Sequence, residues 1–464
     1  MSENSPQGAV ERALAAARSD DCIVIADEGS AANLRWAGNS LTTNGVSRSR
    51  QLTVIAISRS GEEARVGVVS RAGVRADQIA DVVAEAEAAA AGAAPAEDAQ
   101  PLVPSNPASG AGWDEPPAAT EIGVFSAFAA ELGGAFATAA SGGRKLYGFA
   151  EHMMTSSYVG TSSGLRLHFD QPSGRLELNA KTADLSTSAW AGAGTRDFRD
   201  VDVTQLEADL AQRLGWANRS VSLPAGRYET LLPPTAVADL LIYLYWSAGA
   251  KDALDGRTVF SKAGGGTRVG EQLASLPLSL YSDPDEAGLQ CAPFVMAHAS
   301  SRESSVFDNG LPTGRTDWIA AGRLGALVQT RHTARLSGLP VTPAIDNLVL
   351  TVPEAAGSIT DMVGRTSRGL LLTCLWYIRE VDPQTLLLTG LTRDGVYLVE
   401  NGEVTGAVNN FRFNESPVAM LGRITEAGAT VPTLPREWSD YFTRAAMAPV
   451  RVEGFNMSSV SQAS

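Results

Sequence analysis

The chain has 464 residues, of which 44% are hydrophobic and 19% charged. That is enough for two or three domains of ordinary globular composition, and it excludes a mainly disordered, collagen-like or coiled-coil chain. Thirty-seven Lys plus Arg against 51 Asp plus Glu leave a formal net charge of -14, which argues against nucleic acid or an anionic membrane as partner, since both need clustered basic charge.

The first segments alternate between helix and strand. Helical spacing over residues 8–18 is followed by a short apolar strand at 22–26 and two more at 52–57 and 66–70. Residues 75–91 predict a helix with Ile79, Val82, Val83, Ala86 and Ala90 on one stripe. From 92 to 119 the chain is rich in Ala, Pro, Ser and Gly, which reads as a linker or long surface connection. A second helix follows at 121–140, then four short strands at 145–152, 155–161, 164–170 and 175–183, and a helix at 204–214. Thr235 is the expected N-cap of the apolar run AVADLLIYLYW. Later strands are expected at 276–281, 345–352, 369–379 and 386–392. Asn401-Gly402, between two alternating segments, is a strong hairpin signal because both turn residues take positive φ. The fold class is therefore α+β, with an α+β N-terminal half and a β-rich C-terminal half. Four regions are expected: an α+β domain at 1–95, a linker at 96–119, a helix with antiparallel strands at 120–220, and a β-rich domain at 221–464.

Motifs that could carry chemistry are weak. Gly160-Thr161-Ser162-Ser163-Gly164 fits the G-x-S-x-G elbow, but the elbow must open a helix and a strand follows here, so a hairpin turn is the better reading. The Gly-rich stretch 262–270 lacks the GK[ST] of a phosphate loop and reads as a flexible loop. The four histidines, His152, His168, His298 and His332, form neither HxH nor HxxxH. Cys22, Cys291 and Cys374 form no CxxC pair, so neither a disulfide framework nor a Cys-rich zinc site is expected, and a reducing compartment fits. The N-terminus lacks the pattern of a signal peptide, and no uninterrupted apolar run reaches the roughly 18 residues of a membrane helix. A cytoplasmic location without membrane contact is expected. The residues present no catalytic constellation.

Several segments in succession resemble the TldD/PmbA family. They are Arg35-Trp36-Ala37-Gly38-Asn39-Ser40, then Ser162-Ser163-Gly164-Leu165-Arg166, then the stretch 224–236, PAGRYETLLPPTA. Next come Phe307-Asp308-Asn309-Gly310-Leu311-Pro312-Thr313 with Gly322-Arg323-Leu324, and finally Val381-Asp382-Pro383 with 397–405, YLVENGEVT. The resemblance implies a peptidase complex in which the TldD-type subunit carries a HExxxH metal helix just after the segment matched by residues 228–236, and a cysteine near its C-terminus. Here that helix reads AVADLLIYLYWSAGA, without histidine or glutamate, and the last cysteine is Cys374. The tail APVRVEGFNMSS resembles the PmbA/TldE ending instead. The resemblance thus implies the non-metal subunit, with no catalytic residue, metal ligand or cofactor of its own. It implies a TldD-type partner holding zinc, and unfolded or extended peptides as substrate. Within that frame the turn-rich loop 308–315 is the expected chamber-facing loop, with Asp308, Asn309 and Arg315 as peptide-binding candidates. The alternatives are a self-sufficient peptidase with an unrecognised site and a non-proteolytic peptide-binding scaffold.

Overall fold

A computed structural model describes residues 5–105, 110–393 and 395–461. The N-terminal region contains α1 (Pro6–Ala16), β1 (Asp21–Ala37), β2 (Leu41–Ser60), β3 (Glu63–Ala72), α2 (Ile79–Gly92), α3 (Ser126–Ser141), β4 (Arg144–Thr161), β5 (Arg166–Thr182), β6 (Ser188–Thr195) and α4 (Val203–Trp216). All six strands join one antiparallel sheet in the order β3-β2-β1-β4-β5-β6. Strands from residues 1–95 and from residues 120–220 therefore share a single sheet.

The period-2 geometry of β1 divides the core. Cys22, Val24 and Ala26 pack under α1 and α2, while Ala32, Leu34 and Trp36, on the same face, pack under α3 and α4. Ile23 and Ile25 point the other way, to Phe294, Val306 and Phe307 of the C-terminal region. The sheet is thus covered by helices on one face and by the second half of the chain on the other.

The expected α2 stripe is buried as read. Two expectations about strands are corrected. The four short strands between 145 and 183 are two long ones, because pairing runs unbroken through Met153↔Ser173 and Met154↔Pro172, where turns were expected. β1 and β2 extend to 17 and 20 residues, well beyond their apolar runs. Only the apolar part is buried; residues 41–50 of β2 face solvent, so composition marked the core and not the strand ends. The stretch at 92–119 carries almost no regular structure but is tied down. Trp113 packs edge-on against Tyr158, the Tyr158 hydroxyl donates to the Glu115 carbonyl, and the Thr120 N–H donates to Ser30 Oγ. Part of this stretch, 106–109, lies outside the described residues.

Among the described residues, one helical segment, residues 122–141, is long and apolar enough to cross a membrane. Phe125, Phe128, Leu132, Ala135 and Ala139 of that segment are buried against the sheet.

Two sheets build the C-terminal region around α5 (Pro234–Trp246). Nine residues of α5 are buried on all sides, which explains its nearly continuous apolar sequence. The helix begins at Pro234 with Pro233 in the cap position, so Thr235 is not the N-cap; its hydroxyl donates to the Leu434 carbonyl instead. Proline suits the first helical turn because its missing N–H would have had no partner there. In the ten-stranded sheet, Gly226–Leu232 lies between Val450–Val460 and Arg368–Leu372, and Trp376–Asp382 forms one edge. The single strand expected at 369–379 is therefore two, because the chain leaves the sheet centre after Leu372 and returns at its edge. The hairpin Val396–Glu400/Glu403–Val408 turns at Asn401-Gly402 with φ of 53° and 85°, as expected.

Candidate functional site

The seam between the N-terminal sheet and the C-terminal region holds two large cavities. The first, of about 400 Å³, is lined by Ser157 and Phe169 of the sheet and by Met296, Ala297, Asp308 and Thr330 opposite. The second, of about 480 Å³, lies where the β5–β6 turn meets the edge strand Trp376–Asp382. A larger cavity of about 530 Å³ lies beside α1 and α2, away from the seam, and its charged groups pair with one another as Arg50–Glu28 and Arg75–Asp77.

Beside the first cavity, Ser157 Oγ donates to Asp27 Oδ1 at 2.5 Å, and His298 Nε2 lies 2.8 Å from Asp27 Oδ2. Serine, aspartate and histidine meet, but the carboxylate stands between the other two. A nucleophilic triad needs the imidazole beside the hydroxyl to take its proton. This arrangement instead clamps the C-terminal region to the sheet through His298. The Asp27 hydrogen bond is the main cause that lifts His298 above its ordinary value, outweighing the lowering from burial. A raised folded-state pKa means that the clamp's contribution is fully present below the unfolded histidine value of about 6.5 and is lost as pH rises through the folded value. Proton NMR titration should therefore place His298 above about 6.5 in the wild type and lower in Asp27→Asn. An unchanged midpoint would show that Asp27 does not set it.

The other histidines have structural settings. His152 is buried, with Nε2 2.7 Å from the Arg196 carbonyl and Nδ1 2.8 Å from Thr120 Oγ1, and burial lowers its pKa. The carbonyl can only accept, so Nε2 carries the proton and Nδ1 receives the threonine hydroxyl. His168 stacks on Tyr158 at 4.3 Å and bonds Asp170. His332 lies 3.9 Å from Glu97. All three cysteines are buried thiols outside any disulfide; burial pushes Cys22 up to about 12 and Cys291 up to about 11, which disfavours the reactive thiolate. Ser162 sits in the turn between β4 and β5, where its hydroxyl accepts the Cys22 N–H, so the G-x-S-x-G stretch is a hairpin turn.

Two of the peptide-binding candidates are occupied within the protein. Asp308 is 2% exposed and accepts from Arg331 Nε at 2.6 Å and from the Arg331 N–H at 3.0 Å. Asn309 is buried, accepts the Ala297 N–H and donates to the Ala297 and Val306 carbonyls. Arg315 is half exposed, lies 3.6 Å from the Tyr281 ring centre and pairs with Asp317. The loop therefore presents Arg315, while Asp308 and Asn309 fix its shape.

The second cavity depends on α5. Asp239, in the middle of that helix, is fully buried, and burial pushes its carboxyl well above the usual range toward the neutral form. Its Oδ1 accepts the Glu437 N–H at 2.8 Å, its backbone carbonyl accepts Trp438 Nε1 at 2.8 Å, and Oδ2 has no partner among the described residues. Asp239 thus anchors the segment 436–439. From that segment, the Glu437 carboxylate accepts the N–H groups of Tyr377 and Ile378, and Ser439 donates to Glu177 of β5. Tyr377 holds φ at 55°, an unfavourable region for an aromatic residue, on the rim next to the cavity-lining Trp376. Sequence reading missed this site because its parts come from residues 177–190, 239, 374–393 and 436–439. The lone aspartate in the apolar run of α5 was its one local signal.

Among the described residues, no group of three His, Cys, Asp or Glu side chains is arranged to hold a metal ion. α5 offers only Asp239, whose burial disfavours the carboxylate form, without imidazole, thiol or glutamate, and this donor set does not fit zinc.

The profile of the PmbA/TldA metallopeptidase C-terminal domain matches residues 225–459. Among solved structures, TldE from Thermococcus kodakarensis is similar at 16% identity with a TM-score of 0.78, covering 97% of this chain and 99% of that one. A Thermotoga maritima protein described as a candidate modulator of a DNA gyrase gives 16% identity and a TM-score of 0.77, with the same coverage of 97% and 99%. A Bacteroides thetaiotaomicron protein described in similar words gives 14% identity and a TM-score of 0.74, covering 98% of each chain. At these identities the likeness shows the fold. No curated protein matches the sequence.

Proposed function

The chain belongs to the TldD/PmbA family, and on that premise we propose that it is the PmbA/TldE-like subunit of a cytoplasmic complex whose TldD-type partner bears the zinc. In this reading it encloses extended or unfolded peptides for cleavage by the partner and carries no catalytic residue itself. The observation that carries the reading is α5. It follows Gly226–Leu232, where the family resemblance implies the partner's metal helix, yet its side chains are core-forming and burial disfavours the charged form of its one carboxyl. A hydrolytic metal site needs ligands and an activated water, and α5 is built to support neither. Its role here is packing, together with positioning the segment 436–439 at the seam. Peptide contact is proposed at Arg315, whose guanidinium stays half exposed beside Tyr281, with Asp308 and Asn309 as the frame of that loop.

Co-expression with a TldD-type subunit tests the reading. The two chains should elute together, cleavage of an unfolded peptide should require the pair, and zinc should follow the partner. Peptidase activity from this chain alone, or about one tightly held zinc per isolated chain with tetrahedral N/S/O ligation, would overturn it.

A further inference from the structure

Lys181 at the end of β5, Arg393 after the strand Leu387–Leu391, and Arg436 line the same 480 Å³ cavity at the seam. No carboxylate lines it among the described residues. Arg436 lies 4.2 Å from the Trp376 ring centre and 5.1 Å from that of Trp190, so its guanidinium sits over two indoles that also line the cavity. Glu177, 3.7 Å from Arg436, offsets one of the three positive charges. Among the described residues no carboxylate forms an ion pair with Lys181 or Arg393. The Nε of Arg436 and the Nε1 of Trp376 are buried without a hydrogen-bond partner.

We propose that this cavity binds an oxyanion carried on a small ligand or a peptide end, with a free carboxylate or a phosphate as the recognised group. In a chain of net charge -14, three cationic side chains line one concave space with one carboxylate, Glu177, against them among the described residues, so the space carries an excess of positive charge that an anion relieves. The space is within the range of small-ligand sites, and the aromatic wall provides apolar contact beside the charge. Asn179 adds an amide to the lining. The cationic wall is held from behind, because Arg436 directly precedes Glu437, whose N–H is fixed by Asp239. The adjoining edge strand is not the docking surface at this point, since the Glu437 carboxylate already takes the N–H groups of Tyr377 and Ile378. The inference does not depend on a TldD-type partner or on peptide cleavage.

Calorimetric titration of the isolated full chain tests it with three probes: the tripeptide Ala-Ala-Phe as free acid, the same tripeptide as C-terminal amide, and inorganic phosphate. The comparison protein carries Lys181→Gln with Arg393→Gln, and its melting temperature is measured beside the wild type so that lost binding is separated from lost folding. Saturable binding of the free acid, absent for the amide and weakened at least tenfold in the double variant, supports the site and assigns a carboxylate. Phosphate binding with the same sensitivity, and none by the tripeptide acid, supports the site and assigns a phosphate. Equal binding of acid and amide, unchanged affinity in the double variant, or no saturable binding by any probe overturns the proposal.

Discussion

Asp308→Ala should lower folding stability by about 3 kcal/mol, at the low end of the cost of breaking a buried ion pair by removing one partner. The carboxylate, 2% exposed, satisfies both the side chain and the backbone N–H of Arg331, the first residue of the short helix Arg331–Ser337. Arg331 also donates to the Phe307 and Pro101 carbonyls, so it ties the loop to the stretch that precedes the seam. Truncation would leave the guanidinium facing carbonyls with its charge uncompensated, while its partial exposure keeps the cost from the upper end of that range. Urea unfolding of Asp308→Ala and Asp308→Asn should rank both below wild type, with alanine lower. A fully stable Asp308→Ala chain that only loses cleavage in the assembled complex would return Asp308 to the role of a peptide contact.

Gly402→Val should cost a similar amount, about 3 kcal/mol, through two independent effects. The first is local: φ at Gly402 is 85°, a conformation in which a β-branched residue is strained. The second is tertiary: a Cβ built there would lie 2.8 Å from the Gly364 carbonyl oxygen, closer than real contacts allow. The turn is pressed onto that segment by hydrogen bonds from the Asn401 N–H to Ser367 and from the Gly402 N–H to Thr366. Valine must therefore distort the turn and lift the hairpin from its neighbour. Asn401→Gly, which keeps the left-handed conformation, should cost far less. Equal denaturation curves for Gly402→Val and wild type would refute both effects.

The sequence by itself determined those features whose signals are local. The α2 stripe repeats with the helical period, so five apolar residues reported a buried face without knowledge of its partner. Asn401-Gly402 specified a turn because few residue pairs accept two positive φ values. The apolar run at 236–246 marked a helix, although its N-cap was misplaced by two residues, and the absence of histidine from it underlies the proposal that this chain is the non-metal subunit. Tertiary structure decided the rest, because long-range pairing has no local period. β4 and β5 run straight through Met153 and Pro172, since each finds a partner across the sheet, although both stretches read as turns. Asp308 and Asn309 read as peptide-binding candidates on a turn-rich, chamber-facing loop; only the approach of Arg331 and Ala297 shows them buried and bonded within the protein. The cationic cavity joins side chains from positions 181, 393 and 436 with a helix residue at 239 that holds its wall, and charges so far apart in the chain become a site only when the seam closes.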